Sequence, residues 1–417
     1  MPRYFLLSVL FFLLIWQSVL GEEVKIFKGK IIADNDTIPV AYAHIGVLHS
    51  GIGTVSNING EFELKGSFNI KEDSLVVSHI EYEKRTIALK DLTREISVIR
   101  LNKNDYELGE VIVFPQDRVK EIFRNVIKNL KVNYPTKLYQ CEAFYREAIY
   151  EEKTETYTRL LEAALNIQDG RVTAATSRMK CSVLQLRKSE DNNDEHWWCK
   201  LMNKVFSTPN NLYLLLRDNP VRIYKENNRK SMQYYNPLRS VIKEERNITR
   251  LSGIIKNANG DDIYHFCRKS NELEMNFYVN STDYAIVQFD CELRSIQKKE
   301  YRFVKIDEKY YPAFFQQKSI KSILKQSKGL SRSETTLTFV NYSPDKRKFK
   351  RLKSKHVLPK TLDLYKEEAV YDEGFWDNYN VLLKNPIKEK IITDLSKEET
   401  LKSQFERTGN ENKKNRE

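Results

Sequence analysis

Residues that usually carry out catalysis or bind metal ions are scarce in this sequence. Its 417 residues include only five cysteines and six histidines, and the histidines are scattered along the chain. The H-E-x-x-H motif of zinc proteases, the G-x-S-x-G motif of serine hydrolases and the phosphate-binding P-loop are all absent. We therefore predict no catalytic residue, no cofactor and no metal site, and a protein that binds a partner instead of breaking bonds.

The five cysteines fit neither a zinc site nor a defined set of disulfides. They are Cys141, Cys181, Cys199, Cys267 and Cys291. A zinc site of this kind needs two matched pairs of ligands, and the pairs His196/Cys199 and His265/Cys267 have no second half. Export would permit disulfides, and an odd number leaves at least one cysteine unpaired. Their pairing remains open.

The sequence also lacks an apolar run of the roughly 20 residues that a membrane-spanning helix needs. It begins MPRYFLLSVLFFLLIWQSVLGEE, in which Arg3 precedes a shorter apolar stretch, residues 4–16. Val19 and Gly21 are small enough for a signal-peptidase site. We expect residues 1–21 to be a secretory signal peptide, with a retained membrane anchor as the alternative. The protein would then be exported, to the periplasm or to the outer membrane or cell surface.

The basic residues, whose excess could suggest nucleic-acid binding, are not concentrated in one part of the chain. The chain has 69 Lys and Arg residues interleaved with 57 Asp and Glu residues, for a net charge of +12. We therefore expect no nucleic-acid partner; an anionic membrane or cell surface suits this charge equally well. The densest basic run is PDKRKFKRLKSKH, residues 344–356. We interpret it as a solvated loop, with contact to anionic lipid or glycan headgroups as the alternative.

Residues 24–102 have the pattern of a small β-sandwich. Short stretches that alternate apolar and polar residues are separated by turn residues. In the stretch GTVSNINGEFEL, Asn59-Gly60 is a strong turn dipeptide, and Phe62 and Leu64 then alternate with charged residues. We predict a hairpin here, whose register keeps Phe62 and Leu64 in the core.

Three stretches of this region resemble the carboxypeptidase-like regulatory domain family. They read GKIIADNDTIPVAYAHIGVLHSGIGTVSNINGEFEL, LVVSHIEYEKRTIAL and VIRLNKNDYELGEVIV. The residues that match the family pattern are Gly29, Pro39, Ala43, Gly53, Thr54, Gly60, Phe62, Leu64, Ser78, Tyr82, Leu108, Glu110 and Val111, whereas Glu81 replaces a usual glycine. The resemblance implies a seven-stranded, prealbumin-like or immunoglobulin-like β-sandwich with a structural or adaptor role and no peptidase activity. Such domains begin many exported Bacteroidetes proteins, including TonB-dependent receptors.

The pattern changes to that of a helix after Pro115. Apolar residues three or four positions apart form a single stripe: Val119, Ile122, Phe123, Val126, Ile127 and Leu130. Asp117 is the predicted N-cap, and the helix is predicted to end at Asn133-Tyr134-Pro135. We expect residues 103–135 to be a linker and an amphipathic helix that packs on the sheet that follows.

Residues 136–372 are predicted to form a larger, curved antiparallel sheet with a few helices. The clearest hairpin has apolar residues at every second position: Leu273, Met275, Phe277 and Val279, then Val287, Phe289, Cys291 and Leu293. The stretches YQCEAFYREAIYEE and TYTRLLEAALNIQD are predicted to form the first hairpin, and WWCKLMNKVF and NNLYLLLRD to be helical. The succession of strands is distantly similar to the half-barrel of periplasmic outer-membrane lipoprotein carriers. That similarity implies a sheet wrapped around helices, with an apolar cleft.

The remaining residues favour structural interpretations. The adjacent carboxylates Glu244/Glu245 and Asp261/Asp262 point to opposite faces of a strand and so make poor acid/base partners. The pairs Tyr234/Tyr235 and Tyr310/Tyr311 are more typical of sheet packing than of sugar stacking. Residues 373–417 are charged and poor in apolar residues, which predicts a frayed helix and a partly disordered tail.

The predicted fold class is mainly β, α+β overall, with a sandwich, a connecting helix and a larger sheet domain. We expect a non-enzymatic exported binding or adaptor protein of the bacterial cell envelope. Its partner would be an envelope protein, a glycan or an apolar ligand, with association at the outer membrane. An accessory component of a TonB-dependent outer-membrane nutrient-uptake system is the first alternative, and a hydrolase with an unrecognised active site is the second.

Overall fold

The computed structural model describes residues 25–34, 36–92, 97–108, 114–170, 179–191, 211–222, 236–243, 249–256, 261–294, 296–321, 331–345, 347, 349–359, 364–367, 371–379 and 389–414. All structural statements below concern these residues.

Seven short strands at the N-terminus form two sheets. They are β1 (Lys25–Ala33), β2 (His44–Val47), β3 (Gly53–Val55), β4 (Glu61–Gly66), β5 (Ser74–His79), β6 (Tyr82–Ala88) and β7 (Ser97–Leu101). One sheet has the strand order β4-β1-β7 and the other has the order β3-β2-β5-β6. Only β7 runs parallel to its described neighbour, β1; the other described pairs are antiparallel. The predicted seven-stranded sandwich is confirmed.

The two small sheets share one apolar core. Phe62 and Leu64 of β4 are fully buried and lie in the same cluster as Ile31 of β1 and Ile45 of β2. This is the inward face that the alternation along β4 predicted, because successive side chains of a strand point to opposite faces. The alternation therefore determined which residues form the core of this unit.

The turn at Asn57–Gly60 joins the two small sheets. The Asn57 Oδ1 atom accepts hydrogen bonds from the backbone N–H groups of Asn59 and Glu61, at 2.8 and 2.9 Å. Gly60 has φ = +75°, and a Cβ at this position would lie 2.2 Å from the Ile31 carbonyl oxygen, so only glycine fits. The predicted turn is confirmed, but the predicted hairpin is wrong, because β3 and β4 belong to different sheets.

Eleven strands form the second, larger sheet. They are β8 (Asp105–Leu108), β9 (Tyr139–Glu151), β10 (Thr156–Asp169), β11 (Lys180–Lys188), β12 (Thr249–Lys256), β13 (Ile263–Lys269), β14 (Leu273–Asn280), β15 (Ile286–Leu293), β16 (Gln297–Ile306), β17 (Lys309–Lys321) and β18 (Ser331–Ser343). Their order is β11-β10-β9-β18-β17-β16-β15-β14-β13-β12-β8, with antiparallel pairing throughout. The predicted antiparallel sheet is confirmed, and β8 extends it from within the predicted linker.

Three helices pack on one face of this sheet: α1 (Gln116–Asn133), α2 (Asn211–Arg217) and α3 (Pro237–Lys243). Pro115 is the N-cap of α1, and Asp117, the predicted cap, lies in the first turn, near the positive end of the helix dipole. Phe123 packs edge-on against Phe266 and Phe277, with ring centroids 5.4 and 5.0 Å apart. The predicted packing of α1 is confirmed. We call this side of the sheet the α1 face and the other side the opposite face.

C-terminal helices cover part of the opposite face. They are α4 (Glu373–Asn378), α5 (Glu389–Leu395) and α6 (Leu401–Lys414). Ile391, Leu395, Leu401 and Phe405 are buried in one cluster with Leu160 of β10. The sequence predicts a frayed helix and a partly disordered tail here. Within residues 389–414 the structure has the two helices α5 and α6, because these few apolar residues recur four positions apart and so share one side of each helix.

The sandwich contacts the large sheet near β16, β17 and β18. The Tyr42 ring stacks on the Phe314 ring of β17 with centroids 4.6 Å apart. The Tyr342 N–H of β18 donates to the Gly51 carbonyl at 2.8 Å, and a Cβ on Gly51 would lie 1.6 Å from the Tyr342 carbonyl oxygen. Glycine therefore allows the two backbones to touch. The two apolar cores remain separate clusters, and we propose the domain boundaries 24–102, 103–135, 136–372 and 373–417.

Candidate binding site

A continuous row of large apolar side chains crosses seven strands on the α1 face. Directly opposite residues of neighbouring strands form it, in the order Tyr145, Leu337, Phe315, Tyr301, Phe289, Phe277 and Phe266. Each is at most 3% exposed. At this row the α1 face is a packed core, and it differs from the open apolar cleft that the resemblance to lipoprotein carriers implied.

The next row of the α1 face is mostly polar and lies nearer one rim of the sheet. It runs through Glu147, Thr335, Gln317, Lys299, Cys291, Met275, Arg268 and Thr249. A buried row of this composition needs partners for its charges and hydrogen-bonding groups. The helices α2 and α3 supply several of them.

The helix α2 crosses the polar row over β9, β18, β17 and β16. The Asn211 side-chain amide donates to Glu147 Oε2 at 2.6 Å, and Lys299 Nζ donates to Asp218 Oδ2 at 2.5 Å just beyond the end of α2. Glu147 also accepts a hydrogen bond from Arg159 Nη2 at 2.6 Å, which compensates its buried charge. The NNLYLLLRD stretch is therefore helical as predicted, and polar contacts at both of its ends hold it on the sheet.

Three oxygen atoms near α2 are buried without a hydrogen-bond partner among the described residues. They are Thr335 Oγ1, Gln317 Oε1 and Ser333 Oγ, on β18 and β17. Buried polar atoms are normally paired with protein groups or with ordered water. This part of the polar row can therefore accept hydrogen bonds from water or from the polar end of a ligand.

The apolar surface becomes accessible at the rim where β14 begins and β15 ends. Along the α1 face of β15, Phe289 is buried, Cys291 is half-buried and Leu293 is 41% exposed. Leu293 lies directly opposite Leu273, and both line an open recess of about 630 Å³. We call this the rim recess; its lining residues are Ser270, Asn271, Glu272, Leu273 and Leu293. The alternation had assigned Leu273 and Leu293 to the buried face, and their accessibility was not foreseen.

The helix α3 holds the far end of the polar row. Arg268 Nη1 of β13 donates to Ser240 Oγ of α3 at 2.7 Å. Between this contact and the Lys299 contact of α2, the row continues through Met275 and Cys291 and leads outwards to the rim recess. The recess therefore opens between the positions at which α2 and α3 bind the sheet.

No disulfide joins any two of the four described cysteines. Cys141 and Cys181 are buried on β9 and β11, on either side of Ile167 of β10, so a whole strand separates them. Burial raises the pKa of the Cys141 thiol well above its usual value, which makes it unreactive. Cys199 lies outside the described residues.

The three histidines of the sandwich all face the large sheet. His79 Nε2 lies 3.1 Å from Arg302 Nη1, His49 contacts the turn between β16 and β17, and the His44 ring lies 6.3 Å from the Tyr342 ring. Burial lowers the pKa of His44 to about 4, and burial together with Arg302 lowers the pKa of His79 to about 3. Both are neutral at pH 7, so His79 can accept a hydrogen bond from Arg302. No local pattern predicts these contacts, because the partners lie more than 200 residues away in the chain.

The other residues considered from the sequence have structural positions where they are described. Tyr310 and Tyr311 are buried and pack against Tyr134 and Tyr139, as expected for sheet packing. Asp262 forms an ion pair with Lys256. The residues Tyr234, Tyr235, Glu244, Glu245 and His196 lie outside the described part of the chain, as does the predicted helix WWCKLMNKVF.

The described ranges contain neither a cluster of metal-ligating side chains nor a helix that could span a membrane. No three side chains of His, Cys, Asp or Glu come together there in a way that could bind a metal ion. No helix in the same ranges is both long enough and apolar enough to cross a membrane.

Comparison with known proteins agrees with the resemblance of the N-terminal region. Residues 27–113 match the CarboxypepD_reg-like domain family. This stretch contains nearly all of the sandwich and also β8, which pairs with the large sheet. No curated protein matches the chain. The CarboxypepD_reg-like domain therefore accounts for the smaller part of the protein.

Solved structures resemble the chain only at low scores. A LolA superfamily protein from Nitrosomonas europaea is 11% identical, with a TM-score of 0.22, and the match covers 58% of this chain and 98% of that one. A putative outer-membrane lipoprotein-sorting protein domain from Vibrio parahaemolyticus is 7% identical, with a TM-score of 0.23 and coverages of 55% and 92%. The match to the MucA/MucB complex of Pseudomonas aeruginosa has 8% sequence identity and a TM-score of 0.18, and it covers 53% of this chain and 94% of that one. Similarity at this level carries no information about function.

Proposed function

We propose that this is a non-enzymatic binding protein of the bacterial cell envelope, in which the rim recess admits an apolar ligand that carries a polar end. The observation that supports the proposal is the increase in exposure along β15, from buried Phe289 to Leu293, which is 41% exposed. A ligand bound at the recess would extend an apolar surface that is already continuous with the core. The envelope location rests on the signal-peptide pattern of residues 1–21 and on the CarboxypepD_reg-like domain.

The chemistry of the recess suits such a ligand. Leu273 and Leu293 supply the apolar contact, while Ser270, Asn271 and Glu272 supply polar groups at the same opening. Binding sites for small ligands commonly combine an apolar lining with a few polar groups that orient the ligand.

Equilibrium binding of a fluorescent long-chain fatty acid tests this site. Leu293→Glu places a charge in the apolar lining and should raise the Kd at least about tenfold, which corresponds to about 1.4 kcal/mol. Leu184→Glu is the matched control, because Leu184 is 40% exposed on β11, away from the recess. Both substitutions are at exposed positions and should leave the urea-unfolding curve nearly unchanged.

Two results would contradict the proposal. One is the absence of saturable binding by the unaltered protein; the other is an equal loss of affinity in both variants. Saturable turnover on panels of peptide, ester or glycoside substrates would contradict its non-enzymatic part. A photo-crosslinking residue at position 293, compared with the same residue at position 184, would show directly whether the ligand occupies the recess.

A further inference from the structure

Residues 349–358, which include the second half of the basic run, follow a defined path across the large sheet. After β18, residues 349–358 cross the end of β10 and the start of β11; we call this segment the basic strap. The buried Gln168 side chain donates to the Lys350 carbonyl at 2.7 Å and accepts from the Leu352 N–H at 2.8 Å. Lys180 Nζ donates to the Leu352 carbonyl at 2.8 Å. Backbone contacts therefore fix the path of the strap.

The backbone of the strap faces the sheet, and the side chains of Lys350, Arg351 and Lys353 point to solvent. Lys350, Arg351 and Lys353 are exposed and form no ion pair with any described residue. Lys and Arg occupy seven of the ten positions 346–355, and the single acidic residue of the run, Asp345, pairs with Arg347. The strap is thus a fixed row of uncompensated positive charges.

We propose that the basic strap is a docking site for a membrane surface that carries anionic phospholipid headgroups. A fluid anionic surface can bring its charges to a row of fixed cations without a matching shape, and each Lys or Arg near such a surface adds about fivefold to the affinity. The cations act together, as in other polybasic segments that bind membranes peripherally. This site lies apart from the rim recess and does not depend on ligand binding there.

Other polyanionic partners suit the strap less well. Single-stranded nucleic acid is usually held by exposed aromatic rings on which bases stack, but Phe349 and Tyr365 are both half-buried. An acidic peptide would use backbone hydrogen bonds or apolar anchors, but Gln168 and Lys180 already bind backbone groups of the strap. Binding to an anionic lipid surface requires only the positive charges of the strap.

Co-sedimentation with lipid vesicles tests the proposal on the full chain. The unaltered protein should bind phosphatidylcholine vesicles that contain one third phosphatidylglycerol, should not bind pure phosphatidylcholine vesicles, and should be released by high salt. The triple variant Lys350→Gln, Arg351→Gln, Lys353→Gln should bind about a hundredfold more weakly. Its melting temperature and its affinity for the fluorescent fatty acid should be unchanged, because the three side chains are exposed and distant from the rim recess.

The matched control removes the same charge from another surface. Arg124, Lys128 and Lys131 are exposed on α1, and the triple variant Arg124→Gln, Lys128→Gln, Lys131→Gln should keep nearly full vesicle binding. Equal losses in both variants would overturn the proposal in favour of net charge alone. Absence of binding to anionic vesicles, binding to an oligonucleotide only, or full competition by soluble glycerophosphate at the same phosphate concentration would each overturn it as well.

Discussion

The two faces of the large sheet are covered in different ways. On the α1 face, rings from six strands form one row under a helix that precedes most of the sheet in the chain. On the opposite face, the sandwich and the C-terminal helices bind separate areas. Charged residues take part in both contacts: Arg187, which forms an ion pair with Glu162, lies against the Trp376 and Phe405 rings of α4 and α6. Arg302 contacts His79 of the sandwich.

This difference follows from the two kinds of interaction. Burial of apolar area has no preferred direction, so a helix with an apolar stripe can pack on any apolar face of the right size. Buried charges are tolerated only with partners at the right distance and angle, and a wrong contact costs several kcal/mol. The aromatic row under α1 therefore contributes mainly stability, whereas the charged contacts, on the opposite face and at the two ends of α2, specify where other parts of the chain bind.

The largest expected effect tests the α1 face. Phe123→Ala removes a fully buried ring between Phe266 and Phe277 and should lower the free energy of unfolding by about 3–5 kcal/mol in a urea titration. Arg124→Ala, an exposed change in the same helix, is the control and should cost less than about 0.5 kcal/mol. Similar effects of the two substitutions would mean that α1 is not part of the cooperative core.

The next effect tests the charged contacts of the opposite face. Burial raises the pKa of the Glu162 carboxyl, but Arg146 and Arg187 outweigh burial, and the net shift is downwards. The ion pairs of Glu162 therefore stabilise the protein at pH values above the usual pKa of glutamate. This contribution is lost as the pH falls through the lowered pKa of Glu162. Glu162→Gln leaves two guanidinium groups without their counter-charge and should cost about 3 kcal/mol at pH 7.

Urea unfolding at several pH values checks this prediction. The cost of Glu162→Gln should shrink in acid, where the native carboxyl also becomes neutral. Glu121→Gln, at an exposed position of α1, is the control and should be nearly neutral. If Glu162→Gln had no effect at pH 7, the charge of Glu162 would not be needed to hold the opposite face.

A smaller effect concerns the contact between the sandwich and the sheet. The pKa of His44 is lowered to about 4 by burial, so between pH 6.5 and 4 the unfolded chain binds a proton there and the folded protein does not. The free energy of unfolding should therefore fall as the pH falls, by about 1.4 kcal/mol per pH unit for this one group. His44→Leu should remove the contribution of His44 to this slope and leave that of His79, whose pKa is lowered to about 3.

The control is His356→Leu, because His356 is an exposed residue of the basic strap, away from the contact between the sandwich and the sheet. Burial and Glu300 raise the pKa of Asp290 to about 6; this carboxyl offsets part of the acid loss, but it does so equally in every variant compared. An identical pH slope in His44→Leu and in the unaltered protein would show that His44 is accessible to protons in the folded state.

The sequence predicted individual strands and helices better than it predicted which of them lie next to one another. Alternation correctly gave the buried side of β4 and most of the β14–β15 hairpin, and helical spacing gave α1 and its packing. The differences concern pairing and docking: β3 and β4 belong to different sheets, and α5 and α6 pack on the large sheet where the sequence predicts a frayed helix and a partly disordered tail. At the candidate site, Leu273 and Leu293 were read as buried, because a periodic pattern identifies a face of a strand but not where the covering layer ends.

By itself, the sequence determined the fold class, the sandwich pattern and the amphipathic helix, because these depend on the spacing of apolar residues within a few positions of one another. Only the tertiary structure decided that three histidines of the sandwich meet the large sheet, that the rim recess opens between α2 and α3, and that Gln168 holds the basic strap. These contacts join residues that lie far apart in the chain. Whether they form depends on the register and order of eleven strands, which no local pattern specifies.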